Sequence, residues 1–288
     1  MTTGAIQWGF ADEGEEVPEC YQTRATPSED DVPVYGLLSR TLIHSPVVKK
    51  ILPARIRRQD LNDVVFIGET YIELHLLTPL GKLQKVGSKT DIGAEIRDAC
   101  VFGAKRPIQF SPGSPETGLS EGRGDSDEDI KSRLPAEILA MTTDAGYLQF
   151  VYARDCDEQG QVDFVVSRRR IDNRGVHPSH LGKCIAVDPQ SRAMAVAAYQ
   201  DYFRVYSLHP MEELQRQIAE GLPLNPIKEE RTFAVHGCFV VHMEFLYTSD
   251  IEHVIIILFL IESVRRSSFP SKSQIIFFDV SGLLIEIH

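Results

Sequence analysis

The sequence predicts an all-β protein built from short antiparallel strands. Three apolar or alternating runs follow one another at 183–187, 193–198 and 202–208. Polar residues separate them, beginning with Asp188-Pro189, where the proline ring fixes φ at the second turn position. The same succession of strand and turn signals recurs over most of the chain. Three such strands make most of one propeller blade or of one sandwich sheet.

Composition is that of a globular protein and argues against a general polyanion binder. The chain has 288 residues and is 43% hydrophobic, enough for a sizeable core in one large or two small domains. Its formal net charge of -11 disfavours affinity that depends on phosphate neutralisation, because such affinity needs a basic face. The five cysteines are scattered without CxxC spacing, which favours reduced intracellular thiols.

The sequence has no signal for secretion or for membrane insertion. The N-terminus lacks the basic and apolar regions of a signal peptide. The long apolar run at 254–261 is about half of the roughly 18 residues that indicate a membrane span. We therefore interpret this run as a central strand, and we expect an intracellular protein that is not secreted and has no membrane partner.

Residues 1–33 are predicted to form a disordered acidic tail. They are rich in Asp, Glu, Pro, Ser and Thr, and their few apolar side chains could not offset the entropy lost on ordering. The β pattern then occupies residues 34–288. Its first strands are predicted at 35–43, 47–57, 64–68, 71–77 and 83–88.

Two segments interrupt the strands. Residues 111–133 are rich in Pro, Gly, Ser and acidic side chains, and we predict a disordered acidic insert because strands resume beyond it. Residues 211–220 place Leu214 and Ile218 on one helical face and precede Gly221, which predicts a short helical insert. Further strands are predicted at 96–102, 138–142, 147–154, 162–167, 240–246, 253–262, 274–280 and 283–287.

The number of strands favours a propeller. About sixteen strands, at about 40 to 45 residues for each four-stranded blade, amount to about four blades. We therefore predict an all-β fold, a partial WD40-like β-propeller of four-stranded antiparallel blades. The β pattern reaches His288, so we expect a truncated domain with an exposed edge strand and an exposed apolar blade face. Such an arc would be poorly soluble alone or would depend on association.

Two groups of potential metal ligands lack the partners that a metal site needs. His177, His180 and Cys184 are zinc-type ligands without a fourth. The acidic run at 125–129 alternates like the start of a calcium loop, but Ile130 stands where that loop requires glycine. We interpret both as loops and predict no metal and no cofactor.

No set of residues predicts an enzyme. The nucleophile elbow and the phosphate-binding glycine loops are absent from the sequence. Cys184 and Cys238 lie in or beside apolar runs, where thiols are usually buried and inert. His242 and His253 each flank a strand, and we interpret them as half-exposed strand residues. The chain is therefore predicted to be non-catalytic.

The strongest basic cluster consists of Arg168, Arg169 and Arg170, with Arg174 close behind. These four arginines are candidates for a weak, salt-dependent contact with nucleic acid. The alternative is a solvated loop whose arginines pair with the abundant carboxylates of the chain. Sequence alone leaves both interpretations open.

Several segments resemble the first β-propeller of a family of large scaffold proteins. Its members include the large subunit of the damaged-DNA-binding complex, the largest subunit of the cleavage and polyadenylation specificity factor and the third subunit of splicing factor 3b. The domain is also described as the methyl-methanesulfonate-sensitivity protein N-terminal domain. The resemblance is most specific at the Asp188-Pro189 turn with Arg192, and it extends to segments 63–77, 137–153, 240–247 and 275–281.

The resemblance implies a seven-bladed propeller, of which this chain would supply about the first half. It implies a non-catalytic protein-interaction scaffold in nuclear complexes of DNA repair and ubiquitin ligation or of pre-mRNA processing. Other protein subunits would be its partners, and the nucleus would be its location. The alternative function is a nucleic-acid-binding subunit of an RNA-processing or damage-recognition complex.

Overall fold

The computed structural model describes residues 47–103, 133–156, 161–171, 182–197, 200–248, 253–262 and 273–281. The predicted acidic tail at 1–33 lies outside these residues, and so does the predicted acidic insert at 111–133 except for Arg133. Within the described part, antiparallel strands form two four-stranded sheets and one six-stranded sheet.

The first sheet is an antiparallel meander in the order β1-β2-β3-β4. Its strands are β1 (Lys50–Ala54), β2 (Asp63–Ile67), β3 (Ile72–Leu77) and β4 (Leu83–Lys89). Alternate residues of β2 are buried, as expected for a strand with one face on the core. Gly68 is required in the β2–β3 turn, because a Cβ at this position would lie 2.1 Å from Cε1 of Tyr71.

The second sheet has the order β5-β6-β7-β8. Its strands are β5 (Ile96–Gly103), β6 (Glu137–Thr143), β7 (Tyr147–Cys156) and β8 (Gln161–Arg170). Both faces of β6 are covered: Ile138 belongs to one hydrophobic cluster and Leu139 to another. The apolar run of β6 is therefore that of a strand between two neighbouring sheets.

The third sheet has the order β14-β13-β12-β11-β10-β9. Its strands are β9 (Cys184–Val187), β10 (Ala193–Ala197), β11 (Gln200–Leu208), β12 (Ile227–Phe245), β13 (Ile255–Glu262) and β14 (Ser273–Asp279). The 19-residue strand β12 belongs to two blades. Residues 227–234 and Phe239 pair with β11, and residues 238–245 pair with β13. Gly237, at φ 70°, lies where β12 passes from one blade to the next.

The blades pack side by side around their first strands. β1 contacts β5, β5 contacts β9, and β9 contacts β12. Three hydrophobic clusters fill the spaces between successive blades, and each draws buried residues from the two blades that face it. This is the arrangement of a β-propeller, so the prediction of an all-β, partial WD40-like propeller is confirmed.

The helix α1 (Met211–Ala219) lies in the segment for which the sequence predicts a helix. It buries Met211, Leu214 and Ile218 in the cluster between the second and third blades. Gln215 fixes it further, since its side-chain amide donates to the carbonyl oxygen of Pro135 at 2.8 Å. Among the described residues, no helix is both long enough and apolar enough to cross a membrane.

The Asp188-Pro189 turn joins β9 to β10 and contacts the fourth blade. The backbone N–H of Asp188 donates to the carbonyl oxygen of Ala193 at 2.9 Å, and that of Ser191 donates to the carbonyl oxygen of Asp188 at 2.7 Å. Gln190 and Arg192 extend toward the β12–β13 connection, where they donate to the carbonyl oxygens of Thr248 and His253. The turn therefore connects blades as well as strands.

Candidate interaction surface

The fourth blade, formed by the second half of β12 with β13 and β14, exposes four large apolar side chains on one face. These residues, named here the fourth-blade face, are Phe259, Ile261, Ile275 and Phe277. Their exposed fractions are 40%, 40%, 59% and 62%. The pairing of Phe259 with Ile275 brings the two strands together on this face. Such a patch is typical of a surface that another protein covers.

The fourth-blade face contrasts with the other face of the same strands. Ile256, Leu258 and Leu260 alternate with the exposed residues of β13 and are buried in the cluster between the third and fourth blades. Strands that are apolar on both faces are usually buried on both, and β10 shows this, because all five of its residues are buried. β13 is equally apolar, but the described residues cover only one of its faces.

β14 forms the edge of the six-stranded sheet. Its sequence, SQIIFFD, has no lysine, no proline and no bulge in its pairing with β13. Charged side chains, prolines and bulges are the usual means by which proteins protect an edge strand from pairing with another chain. No described strand pairs with the outer side of β14, and unpaired backbone groups of this kind are sites for strand addition.

Two histidines border the fourth blade, and each pairs with its own carboxylate. Nε2 of His242 lies 3.9 Å from Glu244, and Nδ1 of His253 lies 2.8 Å from Oδ2 of Asp279. The hydroxyl and backbone N–H of Ser281, together with His253, lower the pKa of Asp279 to about 2. The histidine side chains are 61% and 54% exposed, in agreement with their interpretation as half-exposed strand residues.

The structure separates the arginines that the sequence places side by side. Arg168, Arg169 and Arg170 are all exposed at the end of β8. Arg169 projects from the opposite face to the other two, because side chains alternate along a strand. Its Nη2 lies 2.6 Å from Oε2 of Glu230 on the third blade. Arg168 and Arg170 share the other face and make no ion pair with a described residue, and Arg174 lies outside the described part.

The thiols of Cys100 and Cys184 are in environments that suppress reactivity. Burial raises the pKa of Cys100, and it raises the pKa of Cys184 to about 11. Both thiols are therefore protonated near neutral pH, which makes them weak nucleophiles and weak metal ligands. His177, His180 and the acidic run at 125–129 lie outside the described residues. Within the described ranges, no three His, Cys, Asp or Glu side chains form a group that could hold a metal ion.

Comparison with known proteins identifies the domain. A search of curated proteins finds no match to the chain. The sequence model of the RSE1/DDB1/CPSF1 first beta-propeller matches residues 47–280. This range spans all four blades, from the residues before β1 to the residue after β14. Proteins of this family serve as scaffolds for protein interaction within multi-protein complexes and are generally non-catalytic. The chain belongs to the RSE1/DDB1/CPSF1 first beta-propeller family.

Proposed function

We propose that this chain is a non-catalytic protein-interaction scaffold of a multi-subunit nuclear complex. The observation that carries the proposal is the fourth-blade face, an apolar sheet surface that the described residues leave exposed. The process is DNA repair with ubiquitin ligation, or pre-mRNA processing, as in the complexes whose subunits the family contains. Family membership supports the nuclear location and the protein partners.

The partner at this surface presents an apolar β-sheet. Each pair of neighbouring blades in the described part meets as one sheet face on another, with aliphatic and aromatic side chains between them. The fourth-blade face has the same composition and geometry as those covered faces. A sheet-bearing partner would bury Phe259 and Phe277, and each such aromatic residue contributes about 1.5 to 3 kcal/mol when fully removed from water.

Affinity purification of the tagged full-length chain from nuclear extract tests the proposal. We expect the chain to elute in a complex with a fixed set of protein subunits identified by mass spectrometry. Phe259→Arg combined with Phe277→Arg should release those subunits, because two charges would have to be buried in the contact. The matched control is Ile51→Arg, which changes an exposed strand residue of the first blade, 54% exposed.

Two results would contradict the proposal. One is elution of the wild-type chain from nuclear extract as a monomer. The other is a complex that survives the double substitution with its composition unchanged, since the fourth-blade face would then have no part in it. Loss of the same subunits with Ile51→Arg would indicate that the substitutions act through general destabilisation.

A second candidate function is contact with nucleic acid through the end of β8. The observation that favours it is the pair of exposed guanidiniums of Arg168 and Arg170 on one face, joined in sequence by Arg174. Arg168→Gln with Arg170→Gln should weaken any salt-dependent binding of labelled single-stranded RNA or DNA. Arg169→Gln is the matched control, because Arg169 lies on the other face beside Glu230. Equal binding by all variants would exclude this site.

A further inference from the structure

A cavity of about 440 Å³ lies where the second blade meets α1 and the β1–β2 connection. Its size falls within the range of about 300 to 1,000 Å³ that is usual for ligand pockets. Leu134 and Ile218 contribute apolar surface to it. The cavity is separate from the fourth-blade face. In the β7–β8 pair, Arg154 lies opposite Asp163, whereas Arg168 and Arg170 lie opposite Gln149 and Tyr147. The cavity is therefore at the other end of this pair from Arg168 and Arg170.

The lining of this cavity is strongly basic in a chain that is acidic overall. Three arginines line it, Arg58, Arg133 and Arg154, against one carboxylate, Asp155. Asp155 already accepts from Nη1 of Arg57 at 3.0 Å, and Arg58 is held by Asp60 through two hydrogen bonds of 2.9 and 2.8 Å. Arg133 and Arg154 make no ion pair with a described carboxylate. Within the described part of the chain, both guanidiniums therefore retain donors for an anion.

Tyr152 adds a hydrogen-bond donor to the same cavity. It is 1% exposed, and its hydroxyl oxygen accepts from Nη2 of Arg154, whose guanidinium lies 5.2 Å from the centre of the tyrosine ring. A guanidinium can only donate, so the hydroxyl hydrogen of Tyr152 is not used in this bond. No other hydrogen-bond acceptor for it occurs among the described residues. An oxygen anion beside Arg154 would supply one.

The walls of the cavity are fixed by hydrogen bonds between elements. The carbonyl oxygen of Arg55 accepts from the backbone N–H groups of Ala136 and Glu137, which joins the β1–β2 connection to the second blade. Gln215 of α1 donates to Pro135 on the adjoining wall. A cavity whose walls are held in this way loses little conformational freedom when it binds a ligand.

We propose that this cavity binds the phosphate group of a phosphorylated serine or threonine in a partner protein. Two guanidiniums without an ion pair to a described carboxylate, together with a hydroxyl donor, match the several acceptor oxygens of a phosphate monoester, and clusters of arginine commonly recognise phosphorylated motifs. An extended nucleic acid fits less well. The net charge of -11, with Asp60 and Asp155 beside the cavity, repels a continuous polyanion more than it repels a single enclosed phosphate.

Fluorescence anisotropy with the full chain tests this site. The probe is a fluorescein-labelled peptide Gly-Ala-phosphoserine-Ala-Gly, compared with peptides that carry serine or glutamate at the central position. Arg133→Gln and Arg154→Gln should each weaken binding of the phosphopeptide about tenfold or more, as expected for one charge-assisted hydrogen bond. Tyr152→Phe keeps the ring and should weaken binding by a smaller factor. Lys82→Gln, which changes an exposed cation in the turn between β3 and β4, should leave binding unchanged.

Three outcomes would overturn the assignment. The first is equal binding of the phosphorylated and unphosphorylated peptides. The second is full binding by variants of Arg133 and Arg154 whose unfolding transitions match that of the wild type. The third is displacement of the phosphopeptide by inorganic phosphate and by a single-stranded oligonucleotide with equal potency. The last outcome would indicate an unspecific anion site. None of these results bears on the fourth-blade face, so this proposal and the scaffold function can fail independently.

Discussion

Nε of Arg192 lies 2.8 Å from Oδ2 of Asp188, and Nη2 of Arg192 lies 3.2 Å from the other carboxylate oxygen. Asp188 is 1% exposed, so its charge is balanced by this one guanidinium and by the backbone N–H of Arg192 at 3.1 Å. Arg192 also donates to the carbonyl oxygen of His253, on the next blade. The most specific sequence feature of the chain is thus a buried ion pair that joins two blades.

Removal of Arg192 should strongly destabilise the fold. Arg192→Ala leaves the Asp188 carboxylate buried without a counter-charge, and we expect the free energy of unfolding to fall by about 3 to 5 kcal/mol. Urea denaturation followed by circular dichroism measures this change. Arg192→Lys retains the charge but not the two-point hydrogen bonding, and its free energy of unfolding should fall by less. Equal losses for the two variants would contradict the role assigned to the charge.

Removal of Arg57 should make the stability of the first two blades depend on pH. Its Nη2 lies 2.9 Å from Oδ1 of Asp63, a side chain with no exposed surface. Burial raises the pKa of Asp63, and the hydrogen bond and charge of Arg57 oppose that rise. In Arg57→Leu the opposition is lost and the pKa of Asp63 rises further. The variant should therefore lose stability as pH rises through that value, because ionisation becomes unfavourable in the fold.

The test is urea denaturation of wild type and Arg57→Leu at acidic and at neutral pH. We expect a deficit of about 3 to 5 kcal/mol near neutral pH, where a buried unpaired carboxylate is charged, and a smaller deficit in acid. Arg57→Leu with Asp63→Asn is the control, and its deficit should no longer depend on this ionisation. A deficit in the single variant that is the same at both pH values would rule out this explanation.

Gly237 should be sensitive to substitution although it has free space around it. Its φ is 70°, and a Cβ at this position would have no neighbour within 4 Å. The expected loss for Gly237→Val therefore comes from the left-handed backbone alone, at about 1 to 2 kcal/mol. Gly237→Asn should lose less, since asparagine tolerates this conformation better. Thermal unfolding measures the stability of both variants. Equal melting temperatures for Gly237→Val and the wild type would contradict the prediction.

Asp279 should titrate unusually low for an exposed carboxyl group. Its pKa is lowered from 3.8 to about 2 by the Ser281 hydroxyl, the Ser281 N–H and His253. The interaction therefore stabilises the fold above the ordinary pKa of aspartate, and that contribution is lost as pH falls toward 2. Because the side chain is 45% exposed, solvent screening keeps the contribution small.

An NMR titration of the side-chain carboxyl carbons measures this pKa directly. Ser281→Ala removes the hydroxyl donor and should move the pKa of Asp279 upward, toward its ordinary value. A titration midpoint that is already ordinary in the wild type, or one that does not move in Ser281→Ala, would show that the hydrogen bonds do not stabilise the carboxylate.

The sequence predicts the strands whose pattern is local. β10, β11, β13 and the helix α1 occur where apolar runs or helical spacing indicate them. The sequence does not predict the first half of β12, because residues 228–231 are four consecutive charged residues with no apolar alternation. This part forms the outer strand of a blade, and its position depends on pairing with β11 rather than on its own apolar content.

The sequence does not predict the position of the candidate surface. An exposed apolar blade face was expected, yet the run at 254–261 shows only that both faces of the strand are apolar. Which face remains exposed depends on contacts between segments distant in sequence. The same holds for the cavity, since Arg133, Arg154 and Ile218 are brought together only when α1 packs on the second blade. Arg168 and Arg169, by contrast, adjoin in sequence and lie on opposite faces.

The strand β12 couples the unfolding of the third blade to that of the fourth. One continuous backbone pairs with β11 mainly before Gly237 and with β13 after it. Unfolding of either half therefore removes support from the other half. Amides on β10 and β13 should therefore exchange with solvent through the same opening event, although they lie in different blades. A one-residue deletion on either side of Gly237 would move every side chain of that half of β12 to the opposite face of the sheet. A mutation in one blade would therefore destabilise both blades.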